Sequence, residues 1–110
     1  MTETRNSRPL SSAKSLLFRS GNLFQRGLKL SHLRMIVAME ETGQISLAAD
    51  MLKTSQPAAS RLLSEMETIL EVRLCVRSPR GIEMTNAGRA LARRARSMLI
   101  EIREAEREIE

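Results

Sequence analysis

Ser55-Gln56-Pro57-Ala58-Ala59-Ser60-Arg61-Leu62-Leu63-Ser64-Glu65-Met66-Glu67-Thr68-Ile69-Leu70 is the stretch on which the fold of this chain turns. Ser55 supplies an N-cap hydroxyl, and Pro57 falls in the first helical turn, where a proline sacrifices no hydrogen bond. At about 100° per residue, Ala58, Ala59, Leu62, Leu63, Met66, Ile69 and Leu70 gather on one face. The opposite face is polar and sorted along its length. Gln56, Pro57, Ser60, Arg61 and Ser64 come first, and the acids Glu65, Glu67 and Glu71 only after them. A solvated face ordinarily mixes charges, whereas a helix whose first turns enter the major groove must keep carboxylates away from phosphate there. The positive end of the helix dipole favours the same anion.

Upstream the helical period is already running. Ser31 offers an N-cap for a helix through Leu33, Ile36 and Val37 that stops at Gly43. Ser46 is the next cap candidate, opening a very short helix, Leu47-Ala48-Ala49-Asp50-Met51-Leu52, whose alanines let another helix approach closely. Lys53-Thr54 breaks the pattern before Ser55. Two short helices joined by a tight turn, the second with an acid-free polar start, make a helix-turn-helix with a recognition helix over about 55–70. A small helical bundle with an ordinary polar face is the competing reading.

Behind Leu70 the period shortens to 2. Leu74-Cys75-Val76-Arg77 and Ile82-Glu83-Met84-Thr85 read as two strands around the turn Ser78-Pro79-Arg80-Gly81. A hairpin directly behind a helix-turn-helix is a wing, and Arg77 and Arg80 set two guanidinium groups on or beside its tip. From there Arg80 can reach the DNA backbone or a narrow minor groove, whose negative potential attracts arginine; a solvated turn arginine is the alternative.

Thr85 can cap a last helix, Asn86 to Glu110, about 37 Å long. Along it Leu91, Ala95, Met98, Ile102, Ala105 and Ile109 follow spacings of 4, 3, 4, 3 and 4, the period of a coiled-coil seam. So small a domain cannot cover such a stripe, so the helix calls for a partner, most simply its own copy. Arg89, Arg93, Arg94 and Arg96 crowd its first half, while Glu101, Glu104, Glu106, Glu108 and Glu110 crowd its second. That order opposes the helix dipole, so helix stability does not explain it. Antiparallel pairing sets Arg94 near Glu108 of the other copy; parallel pairing would set like against like.

The 110 residues suffice for one domain, and the net charge of +5 is unevenly spread. Residues 1–29 hold six basic side chains and one acid, residues 30–100 ten and seven, and residues 101–110 two and five. The segment 1–29 is rich in Ser, Asn, Arg and Gly and lacks a sustained period. It reads as a flexible basic arm that adds phosphate attraction, with a short helix around Leu16, Leu17 and Phe18, or a targeting segment, as alternatives. One Cys, one His and one Asp cannot assemble a metal site of usual spacing, an internal disulfide or a nucleophilic triad. An enzyme is therefore not expected, nor is a cofactor. Lone Cys75 suits a reducing cytoplasm, and no apolar run approaches the roughly 18 residues of a membrane span. His32 reads as a surface residue at a helix start and Cys75 as a small buried hydrophobe.

Taken together, Leu33 to Thr42, Ser46-Leu47-Ala48-Ala49, Ser55-Gln56-Pro57-Ala58-Ala59-Ser60-Arg61, Glu65-Met66-Glu67, Arg73-Leu74, Arg77, Arg80-Gly81 and Thr85-Asn86-Ala87-Gly88 resemble the DNA-binding domain of LysR-type transcriptional regulators. The resemblance spans about residues 29–110. It implies a mainly α fold: a winged helix-turn-helix at 30–88, three helices plus a two-stranded wing, then a long dimerisation helix at 86–110. It implies a homodimer through antiparallel helices on an interrupted palindrome of double-stranded DNA. Family contact positions fall on Gln56, Pro57, Ser60 and Arg61, with Ser55 as cap and Arg80 in the wing. Ser46, Thr54, Ser64 and Arg77 complete the expected DNA surface.

Members of the family continue into a two-lobed domain similar to periplasmic binding proteins. A small-molecule effector is thus expected only through a C-terminal domain outside these residues, and the chain reads as a fragment or an isolated DNA-binding domain. Three departures stand out. Ile45 and Cys75 replace the usual phenylalanines, which suggests a slightly less filled core; Glu71 replaces the usual glycine behind the recognition helix, which puts its C-cap in question; and the 29-residue extension exceeds the family's typical few residues. A fainter likeness, through Ser64-Glu65-Met66-Glu67, is to regulators of sugar-uptake binding-protein genes. A winged helix that binds protein instead of DNA is the functional alternative.

Overall fold

The computed structural model describes residues 22–110. The possible helix about Leu16 to Phe18 lies outside them. In order come α1 (Asn22–Gln25), α2 (Leu30–Thr42), α3 (Ile45–Met51), α4 (Gln56–Leu70), β1 (Cys75–Ser78), β2 (Gly81–Met84) and α5 (Asn86–Ile109). The two strands form an antiparallel hairpin in which Cys75 faces Met84 and Ser78 faces Gly81. A winged helix-turn-helix with a long trailing helix is therefore the fold of this chain.

Helix α2 is the central brace. Its Leu33, Met35, Ile36 and Met39 are almost wholly buried, packed with Ala59, Leu63 and Met66 of α4 and Ala92 and Ala95 of α5 in one core. Three of those large side chains are methionines, whose unbranched flexibility fills the space that aromatics would otherwise take. The alanines let α5 lie close to α2. On α4 every position of the apolar face read from the helical period is buried or half-buried, and the polar Ser60, Glu65 and Glu67 are half-buried as well.

Three boundaries differ from the sequence reading, each for a local reason. Helix α2 begins at Leu30 with Lys29 as N-cap, so Ser31 lies inside the first turn. The cap is made from the other direction: the buried His32 ring accepts the Lys29 N–H at Nδ1, 2.9 Å away. Helix α3 begins at Ile45 with Gln44 as its extended N-cap residue, which leaves the Ser46 hydroxyl exposed within the helix. The strands cover Cys75–Ser78 and Gly81–Met84, one residue nearer the turn on both sides. The caps at Ser55 and Thr85 hold as expected: Ser55 Oγ accepts the Ala58 N–H at 3.1 Å, and Thr85 Oγ1 accepts the Gly88 N–H at 3.0 Å.

The end of the N-terminal extension belongs to the domain. Leu28 is buried, Leu23 packs against the core, and Arg26 reaches Glu71 at the end of α4, 3.4 Å away. A basic tail divided from the core at residue 29 is thus corrected: the apolar side chains at 23 and 28 were lost among polar neighbours too few to show a period.

Two glycines are fixed by close backbone approach. A Cβ on Gly88 would stand 2.1 Å from the Leu74 carbonyl oxygen, so only glycine lets α5 cross the base of the hairpin. Gly81, at φ +131°, would put a Cβ 2.4 Å from the Gly43 carbonyl oxygen. That same carbonyl accepts the Ile82 N–H at 2.9 Å, pinning the wing to the turn between α2 and α3.

Candidate nucleic-acid interface

The exposed side of α4 has a different neighbour on each flank. On one flank Arg77 of β1 donates to Ser60 Oγ at 3.3 Å, and Glu67 Oε2 accepts the backbone N–H groups of Leu74 and Cys75 at 2.8 and 3.4 Å. Arg73 Nε lies 3.4 Å from the same carboxylate. Glu67 therefore ties the base of the wing to the recognition helix. On the other flank His32 donates from Nε2 to Glu65 Oε1 at 2.8 Å, a tautomer set by the Lys29 N–H at its Nδ1. The Glu65 carboxyl is held below the usual carboxylate range, chiefly by that hydrogen bond. His32 is 1% exposed, so its placement on the surface is corrected. Capping and cross-helix bonding occupy both ring nitrogens, which is what makes its burial tolerable.

These contacts give the charge order on α4 a second cause. Glu65 and Glu67 stand late on the helix, where they fasten α2 and the wing to it and leave its exposed start free of acid.

Between the wing and the two helix starts lies an open groove of about 280 Å³ lined by Gln44, Ser46, Gln56, Arg77, Ser78 and Arg80, among others. It brings together four of the residues singled out from sequence: Ser46, Gln56, Arg77 and Arg80. Gln44 was missed, and its place beside them follows from serving as N-cap of α3, which sequence had given to Ser46. Pro57 is exposed on the first turn of α4, with Ser55 and Ser60 on either side. Arg61 and Ser64 face a separate hollow shared with Arg26, Lys29 and His32, and Thr54 borders a third beside Ser31 and Arg34. The expected residues thus divide between the groove beside the wing and the hollow beside α2, with Ser60 half-buried under Arg77 and Thr54 apart from both.

Residues 30–89 match the family model described as bacterial regulatory helix-turn-helix protein, lysR family. The chain belongs to the LysR family. An HTH-type transcriptional regulator GbpR of Rhizobium radiobacter is 56% identical over 82 residues, covering 73% of this chain and 27% of that protein. A GbpR of Azospirillum brasilense is 43% identical over 82 residues, covering 74% and 24%. The chain spans about a quarter of the length of these relatives. Among solved structures, the CbnR DNA-binding domain in complex with DNA superposes with a TM-score of 0.67 at 36% identity, covering 74% of this chain and 94% of that one. The BenM DNA-binding domain on catB site 1 DNA superposes at 0.71 with 29% identity, covering 74% and 92%. This LysR-type chain carries the DNA-binding domain of a transcriptional regulator, a family of regulators and not of enzymes.

Cys75 is buried, and desolvation, with Glu67 beside it, pushes its thiol up to about 11. It stays protonated at neutral pH and acts as the small hydrophobe expected. No helix among the described residues is long and apolar enough to cross a membrane.

The dimerisation stripe needs one correction. Ala95 is fully buried and Leu91 half-buried against the chain's own core, because α5 lies on α2 for its first half. Neither is available to a partner in the way the seam assumed. Met98, Ile102, Ala105 and Ile109 remain exposed.

Proposed function

We propose that this chain binds a two-part operator in double-stranded DNA as a homodimer, with α4 in the major groove of each half-site. Gln56 and Arg61 read base edges, since Gln can pair with adenine and Arg with guanine through two hydrogen bonds each. Ser46, Ser55, Ser60 and Ser64 donate hydroxyl hydrogens to phosphates, and Pro57 packs at the first turn of the helix, while Thr54, apart from that face, is left out of the contact set. Arg80 reaches the backbone or minor groove, while Arg77 divides its guanidinium between Ser60 and DNA. The observation that carries this reading is the acid-free exposed start of α4 beside a wing that presents Arg77 and Arg80. That DNA-bound structures exist for two similar domains supports it.

The exposed half of α5 joins two copies antiparallel through Met98, Ile102, Ala105 and Ile109, with Arg94 of one copy near Glu108 of the other. Effector sensing in the whole protein belongs to a C-terminal domain, and its setting is the cytoplasm. Selection of bound sites from random duplexes, followed by titration in rising salt, tests the reading. An enriched two-part site whose affinity falls steeply with salt is expected. On that site Arg61→Ala should cost about 1 to 3 kcal/mol and relax the preference at one position. Equal loss on random duplex would reduce Arg61 to a phosphate contact, and no enrichment would sink the reading.

A further inference from the structure

The second half of α2 ends in Glu40 and Glu41, two acids in the last turn of a helix with no basic residue there. Carboxylates at a helix C-terminus face the negative end of the dipole, so on α2 alone this placement is unfavourable. The cation comes from α5. Arg96 Nη2 lies 2.9 Å from Glu40 Oε1 and 3.3 Å from Glu41 Oε2. Its side chain is 39% exposed, and those of Glu40 and Glu41 are 26% and 48% exposed. The hydrogen bond to Glu40, then that to Glu41, holds the guanidinium pKa above its ordinary value.

The position of this clamp gives it consequence. Ala95 is the last residue of α5 that is fully buried, Leu99 the last that packs on the core, and every residue from Ile100 onward is exposed. Arg96 thus grips α2 at the point where α5 leaves the domain. Helix α2 also packs on α4, so the direction of α5 relative to the recognition helix runs through this contact and the packing of Ala92, Ala95 and Leu99 around it. From Arg96 to Ile109 the helix extends about 20 Å, and a tilt of about 10° at its root moves the far end by about 3.5 Å. That displacement equals about one base-pair step of a DNA strand.

We propose that Arg96, through Glu40 and Glu41, is a positioning residue that fixes the separation of the two half-sites the dimer accepts. The proposal rests on the dimeric reading above. Each added base pair moves one half-site by about 3.4 Å and turns it by about 34°, so a rigid dimer must discriminate between neighbouring spacings, and a hinged one must not.

The test uses the selected operator rebuilt with its half-sites moved by −2 to +2 base pairs. Binding is measured by fluorescence anisotropy for the wild type, Arg96→Ala, Arg96→Lys and the double variant Glu40→Gln, Glu41→Gln, with sedimentation to follow dimerisation and melting to follow the fold. The wild type should prefer its best spacing by about tenfold over its neighbours. Arg96→Ala and the double variant should flatten that preference to about threefold or less while remaining folded dimers that bind an isolated half-site as before. Arg96→Lys, which keeps a cation in reach, should retain most of it. A folded, dimeric Arg96→Ala with undiminished spacing preference overturns the proposal alone. A wild type that sediments as a monomer on the full operator overturns the dimeric reading, and the proposal with it.

Discussion

Helices α4 and α5 start alike and end differently. Each is opened by a hydroxyl, Ser55 or Thr85, that accepts a backbone N–H three residues on. Each is amphipathic, and each carries its basic and acidic residues in sequence along its length. On α4 the whole apolar face is taken up inside the domain, and two of its late acids are bonded to α2 and to the base of the wing. On α5 the domain takes up only the first half, through Gly88, Ala92 and Ala95. The charges of α4 are therefore met within one chain, Arg61 included, whose Nε lies 4.0 Å from Glu65 Oε2. Those of the second half of α5, apart from the local Arg107–Glu104 pair at 3.2 Å, have no partner among the described residues. One helix is finished by its fold; the other leaves half its length open, which is the half the proposed dimer uses.

The sharpest way to break this contrast is to detach the part of α5 that the domain does hold. Gly88→Ala should destabilise the domain by about 3 kcal/mol, because the new methyl meets a backbone carbonyl that cannot move without dragging the strand. The urea midpoint would show it. A variant of wild-type stability would mean that α5 does not lie against Leu74, and that the domain's hold on its first half is looser than described.

The free half should respond in the opposite manner. Replacing Ile102 and Ile109 together with Glu removes two exposed apolar groups, 43% and 84% exposed, that touch nothing in the core. The domain should melt as before once monomeric, while the dimer dissociation constant rises by about 100-fold, or about 2.7 kcal/mol. Sedimentation across a concentration series measures this. Unchanged association would place the partner surface elsewhere.

The same contrast explains what could be read from the sequence. The span and apolar face of α4 were legible because capping and periodicity act within fifteen residues, whereas its close at Glu71 and the contacts of Glu65 and Glu67 were not. The wing and the trailing helix were legible for the same reason. What escaped depended on contacts across the chain. His32 looks like a surface residue until Glu65, thirty-three positions away, is seen to accept a hydrogen bond from its Nε2. Arg96 looks like one more arginine in a basic run until Glu40 and Glu41 are found beside it. Ala95 fits a heptad seam, and no local pattern says whether an alanine faces a partner or its own core. Gln44 and the Arg26–Glu71 contact likewise join segments that the sequence keeps apart.

The smallest expected effect concerns the far end of α4. Glu71 closes that helix at φ 57° and ψ 42°, a left-handed conformation in which a side chain costs about 1 to 2 kcal/mol and glycine almost nothing. Glycine gives part of this back through the greater freedom of its unfolded chain, by roughly 0.5 to 1 kcal/mol. The Arg26–Glu71 pair, whose side chains are 43% and 79% exposed, adds little to either side. Glu71→Gly should therefore stabilise the domain by about 0.5 kcal/mol. Glu71→Ala loses the same ion pair and keeps the strained backbone, so it should show no such gain. The difference between the two urea midpoints isolates the backbone contribution. Should alanine stabilise as much as glycine, the cost at this position would lie in the carboxylate and not in the turn, and the end of α4 would be, like that of α5, a place where charge awaits a partner.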